Sequence, residues 1–198
     1  LHDDVRNAIK TGQLSYFSGD IRDQKFCQSL FKDTDVLIHQ AALISVEESK
    51  ILPQLYHDVN VIGYENLVQA AIHSGVKQII YASSSAASST NISPYGKTKK
   101  LNENYSRKVA SHNEIMFTGL RYYNIVGKNI HWANNSPSVL SKWIKEAKNN
   151  GTITVYGNGE QIRDFCSIDD VVSVNMRSFL RTNNNKNRIL EVGSGNGV

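Results

Sequence analysis

The chain has 198 residues, 40% apolar and 20% charged, with a formal net charge of +4, enough for one well-filled core or for one domain and part of another. The positive charge forms no basic block, so a nucleic-acid partner is not implied, although a mild positive potential suits a substrate carrying phosphates. No apolar run reaches the roughly 18 residues of a membrane span, and the two cysteines, Cys27 and Cys166, fit neither a disulfide framework nor a metal spacing, which points to a reduced, cytoplasmic setting.

Residues 1–13 read as a helix and a turn, with Gly12 as punctuation; the start lacks Met and a signal peptide, and the chain looks cut from something longer. Leu14–Phe17 reads as a short strand, followed by Gly19-Asp20-Ile21-Arg22-Asp23 and a helix over Gln24–Phe31 that either Asp20 or Asp23 can cap. Asp35–Ala42 reads as a buried parallel strand, apolar without alternation. It ends in Ala41 and Ala42, whose small side chains let a ligand approach the edge where open α/β sheets bind cofactors. His39 reads as a packed core histidine rather than a general base. Ser45–Asp58 is helical with an interruption at Pro53, and Asn60 opens a helix that Gly75 stops.

Gln78–Tyr81 is a second apolar strand, and it breaks into Ser83, Ser84 and Ser85. Pro94 starts a helix over Tyr95–Val109, in which Tyr95 and Lys99 stand four apart and share a face. An ammonium near a phenol favours the phenolate, and a serine hydroxyl at the strand end can bond the same substrate oxygen. Together such groups remove a proton from an alcohol while a cofactor takes the hydride. Ile115–Tyr123 is a strand running into Leu120-Arg121-Tyr122-Tyr123-Asn124-Ile125-Val126-Gly127. Lys128–Pro137 reads as a crossover loop, Val139–Lys148 as a helix and Ile153–Tyr156 as a strand. Gly157–Phe165 follows, where Arg163 either grips a phosphate with its planar fork or pairs with Asp164 on a hairpin. Asp169 and Asp170 cap a helix over Val171–Leu180, and Ile189–Gly193 is a last strand.

The strand ending in serines, the Y-x-x-x-K spacing, GDIRD, H-x-A-A, LRYYNIVG and GNGEQIRDF together resemble the extended short-chain dehydrogenase/reductases. Within them they resemble the NAD-dependent epimerase/dehydratase family and its UDP-glucose and UDP-N-acetylglucosamine 4-epimerases. The resemblance implies an α/β fold: an incomplete Rossmann-like parallel sheet binding NAD over residues 1–127, and part of a small substrate-binding lobe over 128–198 with segments returning to the sheet. It implies Ser84, Tyr95 and Lys99 as catalytic residues. It implies Asp20 and Ile21 at the adenine, Gln40, Ala41, Ala42, Asn60 and Ser83 near the cofactor, and Tyr122 beside the nicotinamide with Tyr95 and Lys99. It further implies Ser84, Ser85, Asn124, Tyr156 and Arg163 as contacts of a UDP-sugar. Asn60 can equally be an N-cap, and Tyr122 a core aromatic.

Two departures from that pattern stand out. Only ten residues separate Ser84 from Tyr95, fewer than such proteins usually carry. The glycine-rich dinucleotide turn is not found near the start, and Gly193-Ser194-Gly195-Asn196-Gly197 lacks the right spacing. The first strand, that turn and an acidic ribose ligand are therefore expected upstream of Leu1, and the 198-residue chain alone is expected to be inactive. The expected activity of the parent is a nucleotide-sugar 4-epimerase in polysaccharide biosynthesis, homodimeric, with no metal. A dehydratase, a reductase or a non-catalytic binding protein of the same fold is the alternative.

Overall fold

The longer apolar runs of the sequence become a four-stranded parallel sheet. The computed structural model describes residues 3–127, 139–180 and 186–198. Among them are the strands β1 (Val36–His39), β2 (Gln78–Ser84), β3 (Met116–Tyr122), β4 (Asn124–Val126), β5 (Phe165–Ser167) and β6 (Asn187–Val192). The main sheet runs β1-β2-β3-β6, with every neighbouring pair parallel, and β4 and β5 form a small parallel pair of their own. Parallel strands need crossovers, and helices supply them. They are α1 (Asp3–Lys10), α2 (Gln24–Gln28), α3 (Val46–Ile51), α4 (Pro53–His57), α5 (Gly63–His73), α6 (Pro94–Ala110), α7 (Val139–Asn150) and α8 (Ile168–Leu180).

The sheet is covered on both faces. Alternate residues of β2 point opposite ways: Ile79 and Tyr81 pack with Phe117 against α2, α5 and α6, whereas Ile80 and Ala82 pack with Leu120 and Tyr122 against Val171 of α8. This is the expected α/β class with a parallel Rossmann-like sheet. The second cluster also takes Cys166 from β5 and Val192 from β6, so segments beyond residue 127 return to the main body.

Several local expectations are corrected. Leu14–Phe17 is not a strand: no neighbour pairs with it, and Tyr16 and Phe17 are 60% and 62% exposed. β1 accordingly stands at the sheet edge, with Ile38 43% exposed, rather than buried on both sides. Ile153–Tyr156 also forms no ladder among the described residues; side chains of α7 take the backbone groups of Thr154 instead, Trp143 Nε1 donating to its carbonyl at 2.8 Å and its amide donating to Glu146 Oε2 at 2.7 Å. Asp23, not Asp20, caps α2. The last helix starts at Ile168, where the Ser167 hydroxyl accepts from the Asp169 amide, so Asp169 and Asp170 occupy its first turn instead of capping it. Asn60 opens nothing, since helix runs through it as a π-turn over Asp58–Ile62. The Lys128–Pro137 crossover lies outside the described residues.

Candidate active site

The carboxyl ends of β1, β2 and β3 face the first two turns of α6, and the site is built there. β2 stops at Ser84 because a 3-10 turn, Ser85–Ser88, follows at once; the Ser84 hydroxyl caps that turn by accepting from the Ala86 amide at 3.2 Å. The turn lies hard against α6. A Cβ on Gly96 would sit 2.5 Å from the Ala86 carbonyl oxygen, so only glycine lets the two backbones approach this closely. α6 begins with Ser93 as N-cap and Pro94 in its first turn. The Tyr95 amide, one of the helix's orphan donors, is taken from outside by Ser49 of α3 at 3.1 Å.

Tyr95 and Lys99 are 9% and 2% exposed. Lys99 Nζ lies 5.9 Å from the Tyr95 ring centroid and donates to the Ala82 carbonyl at 2.9 Å. Burial raises the Tyr95 phenol above its ordinary range, and a hydrogen bond with Ser84 offsets part of that. This corrects the expectation that Lys99 lowers Tyr95: in this arrangement the ammonium is turned to Ala82, and Ser84 does the lowering. Burial lowers Lys99 itself to about 8. His39 is buried, stacked on Tyr64 at 5.3 Å, and lowered to about 3 first by burial and then by the Lys99 charge. It is a neutral core residue, as expected.

The structure brings Ser84, Tyr95 and Lys99 together, with Ser85 half-buried in the adjoining turn. Gln40 and Ala41 are exposed at the end of β1 and Ala42 is half-buried. Gln40 Nε2 reaches the Tyr122 hydroxyl at 3.3 Å, and Asn175 Nδ2 of α8 donates to the same oxygen at 2.8 Å. Tyr122 is thereby pinned at the end of β3, and Asn175 is an anchor that no motif announced.

Other expected ligands have their polar atoms engaged inside the fold. The Asn60 side chain accepts from the Leu43 amide at 2.8 Å and donates to the Leu43 carbonyl and to Thr98 Oγ1. It fastens the loop after β1 instead of presenting a donor to a ligand. The Ser83 hydroxyl donates to Glu103 at 2.7 Å. Asp20 is exposed and bonds Arg22, which holds its carboxyl at about 2, while Ile21 packs toward Gly63. Asn124 donates to the Asp164 carbonyl at 2.7 Å, which occupies one of its two side-chain donors.

Tyr156 and Arg163 lie elsewhere, around a cavity of about 350 Å³ between α7 and the following segment, with Lys142, Trp143 and Phe165. Lys142 Nζ donates to the Tyr156 hydroxyl at 2.8 Å. Arg163 does not pair with Asp164, because that carboxylate is taken by the Ser194 amide and hydroxyl and by the Gly195 amide. Among the described residues no cluster suits a metal ion, and no helix is long and apolar enough to cross a membrane.

Residues 3–193 match the NAD dependent epimerase/dehydratase family. A Methanocaldococcus jannaschii protein named as a provisional UDP-glucose 4-epimerase is 30% identical over 91% of this chain and 62% of its own length. The UDP-glucose 4-epimerase of Lactobacillus helveticus is 26% identical over 98% of this chain and 69% of its own length. Among solved structures, the UDP-N-acetylglucosamine 4-epimerase of Methanobrevibacter ruminantium is similar, with a TM-score of 0.83 and 27% identity over 92% of this chain and 62% of that one. The chain thus spans a little over three fifths of the archaeal relative's length.

Proposed function

The chain belongs to the NAD dependent epimerase/dehydratase family, and from that premise we propose that it carries the proton-handling centre of a nucleotide-sugar 4-epimerase acting on a UDP-hexose or UDP-N-acetylhexosamine. One observation carries the reading: Ser84, Tyr95 and Lys99 converge at the carboxyl end of a central parallel strand. The residues fit NAD. Lys99 is buried with its ammonium on a single carbonyl, Ala82, and an ammonium has three donors. The two remaining donors suit the hydroxyls of a nicotinamide ribose, beside the small residues Ala41 and Ala42. NAD, when bound, supplies a hydride acceptor for the sugar carbon and gives the hydride back.

The chain's own groups handle the proton. Ser84 donates to or accepts from the sugar 4-oxygen and fixes its distance from Tyr95 Oη. That phenolic oxygen takes the hydroxyl proton as the carbon is oxidised and returns it on reduction. Only the ionised phenol can take that proton; burial works against this form, and the Ser84 hydroxyl is the group that favours it. Tyr122, anchored by Asn175 and Gln40, borders the same strand ends. Tyr156 and Arg163 suit a uracil ring and a diphosphate.

Against a 4,6-dehydratase, Ser84 is followed by Ser85 and Ala86, which offer no acid–base pair. The nearby carboxylate of Glu103 is an ion paired to Arg121. The relatives' names support UDP-glucose as the first substrate to try. In the full-length parent, Tyr95→Phe is expected to cut epimerisation of UDP-glucose about 100- to 10,000-fold, the usual weight of a general acid–base group, with NAD binding by calorimetry retained. Full turnover by that variant removes Tyr95 from the mechanism.

A further inference from the structure

Tyr95, Lys99 and Glu103 recur every four residues along α6 and so form one stripe. Each meets a different one of three consecutive residues at the end of β2. Glu103 accepts from the Ser83 hydroxyl at 2.7 Å, Lys99 donates to the Ala82 carbonyl at 2.9 Å, and the Ser84 hydroxyl lowers the Tyr95 phenol against the effect of burial. Tyr95 and Lys99 belong to the centre described above, and Glu103 has no part in it so far.

Glu103 is 0% exposed. Its Oε1 accepts from Ser83 and from Arg121 Nε at 2.7 Å, and its Oε2 accepts from Arg121 Nη2 at 2.8 Å. Arg121 stands on β3 and passes its remaining arm to Glu191 of β6 at 2.7 Å. One carboxylate therefore ties α6 to β2 and β3, and through Arg121 to β6. Burial works to protonate it, but the bonds from Arg121 and Ser83 win and keep it ionised. A hydrogen bond to an ionised carboxylate is about twice as strong as a neutral one.

We propose that Glu103 is a positioning residue for the catalytic pair: by holding Ser83 it fixes the end of β2 against α6 and so sets the separation of Ser84 from Tyr95. This rests on the epimerase reading of the site. Ser83 and Ser84 are joined by one peptide, so their Cα atoms stay about 3.8 Å apart and any shift of the first moves the second. Stability alone does not explain the arrangement. Buried ion pairs are weak stabilisers compared with apolar packing, and Glu103 and Arg121 would pair without a serine on the strand.

Ser83→Ala tests this, because it removes the brace and leaves the Glu103–Arg121 pair and the fold in place. Two readouts apply. On the 198-residue chain, without substrate, the pH dependence of Lys99 acetylation by acetic anhydride is followed by mass spectrometry. The midpoint is expected near 8 in the unaltered chain, and higher in Ser83→Ala, as the strand end lifts and water reaches the ammonium. Ser83→Thr, which keeps the hydroxyl, is expected to restore it. An unmoved midpoint overturns the brace. In the NAD-loaded protein turning over UDP-glucose, Ser83→Ala is expected to lower kcat about tenfold with KM unchanged, short of the roughly hundredfold cost of a 1 Å misplacement, and Ser83→Thr to recover it. Unchanged kcat also overturns the proposal. Absence of turnover in the unaltered full-length parent counts against the epimerase reading alone, and the labelling result then decides the brace.

Discussion

The face between β2 and α6 and the segment from α7 to Arg163 solve opposite problems with the same residue types. At the first, polar side chains are buried and engaged with one another. Glu103 holds Ser83 and Arg121, Asn60 holds Leu43 and Thr98, and Asn102 donates to the Asn60 carbonyl at 2.8 Å. Around the cavity, by contrast, Tyr156 is 70% exposed and Val155 46%, and α7 side chains stand in for a strand ladder. Groups that exchange protons must be held to within fractions of an ångström before substrate arrives. A pocket for a flat ring and a phosphate can leave its apolar side chains in water until a ligand covers them.

If the first face is interlocked as described, cutting its central ion pair has the largest effect. Arg121→Ala leaves Glu103 buried without its main partner, and breaking a buried pair costs about 3–5 kcal/mol. Urea unfolding should show a loss of that size. A loss under about 1 kcal/mol would mean that the carboxylate is reached by water and that the two regions differ less than they look.

Gly96→Ala comes next. Its new Cβ meets the Ala86 carbonyl, a backbone atom that cannot rotate away. The helix-propensity gain of about 1 kcal/mol is opposed by an overpacking cost of about 1–3 kcal/mol. A net loss is expected, with a larger fall in turnover than in stability, since the strain falls on the turn that carries Ser84.

Lys99→Met should move stability the other way. The folded lysine has its pKa lowered to about 8 by burial, from an ordinary 10.5. At pH 7 the fold therefore carries a buried charge that costs on the order of 3 kcal/mol. Between pH 8 and 10.5 the unfolded chain holds more protons than the native one, so stability rises with pH through that window. Lys99→Met lacks the charge. It should be about 1–3 kcal/mol more stable at pH 7, lose activity, and show an advantage that shrinks as pH climbs toward 10.5. Destabilisation by Lys99→Met would show that the bond to Ala82 outweighs the cost of burial.

Strand and helix positions along the sheet were legible because β2 and β3 carry apolar runs and α6 a proline start. The placing of Ser84 at a strand end, and of Tyr95 and Lys99 on one face of α6, was legible because strand-end serines and a four-residue spacing are local signals. Leu14–Phe17 and Ile153–Tyr156 were not, since strand composition says nothing about whether a partner lies alongside. Glu103 and Asn175 were missed for a different reason: their roles depend on Ser83, Arg121 and Tyr122, which are distant in sequence. One signal was available. Thr98, Asn102 and Ser106 repeat at four-residue spacing beside the stripe of Tyr95, Lys99 and Glu103, and a 17-residue helix with two polar stripes and few apolar residues must bury polar groups in pairs.

The smallest expected stability effect belongs to the open region, and it sharpens the contrast most. Tyr156 contacts Lys142 through a hydrogen bond and a ring–cation approach of 4.6 Å, both at the surface. Exposed contacts of this kind contribute about 0–1 kcal/mol, so Tyr156→Ala should leave urea unfolding within about 0.5 kcal/mol. If a uracil stacks on the same ring as proposed, it should contribute more to binding than the ring does to the fold, about 1–3 kcal/mol by analogy with bases on aromatic platforms. Calorimetry with UDP should accordingly show affinity falling about 5- to 100-fold. Arg163→Lys, which keeps the charge and loses the planar fork, should weaken UDP more than it weakens uridine. If Tyr156→Ala unfolds early and binds UDP normally, the ring is part of the fold's support, and the division between a preorganised centre and an open cavity proposed for the nucleotide fails at this residue.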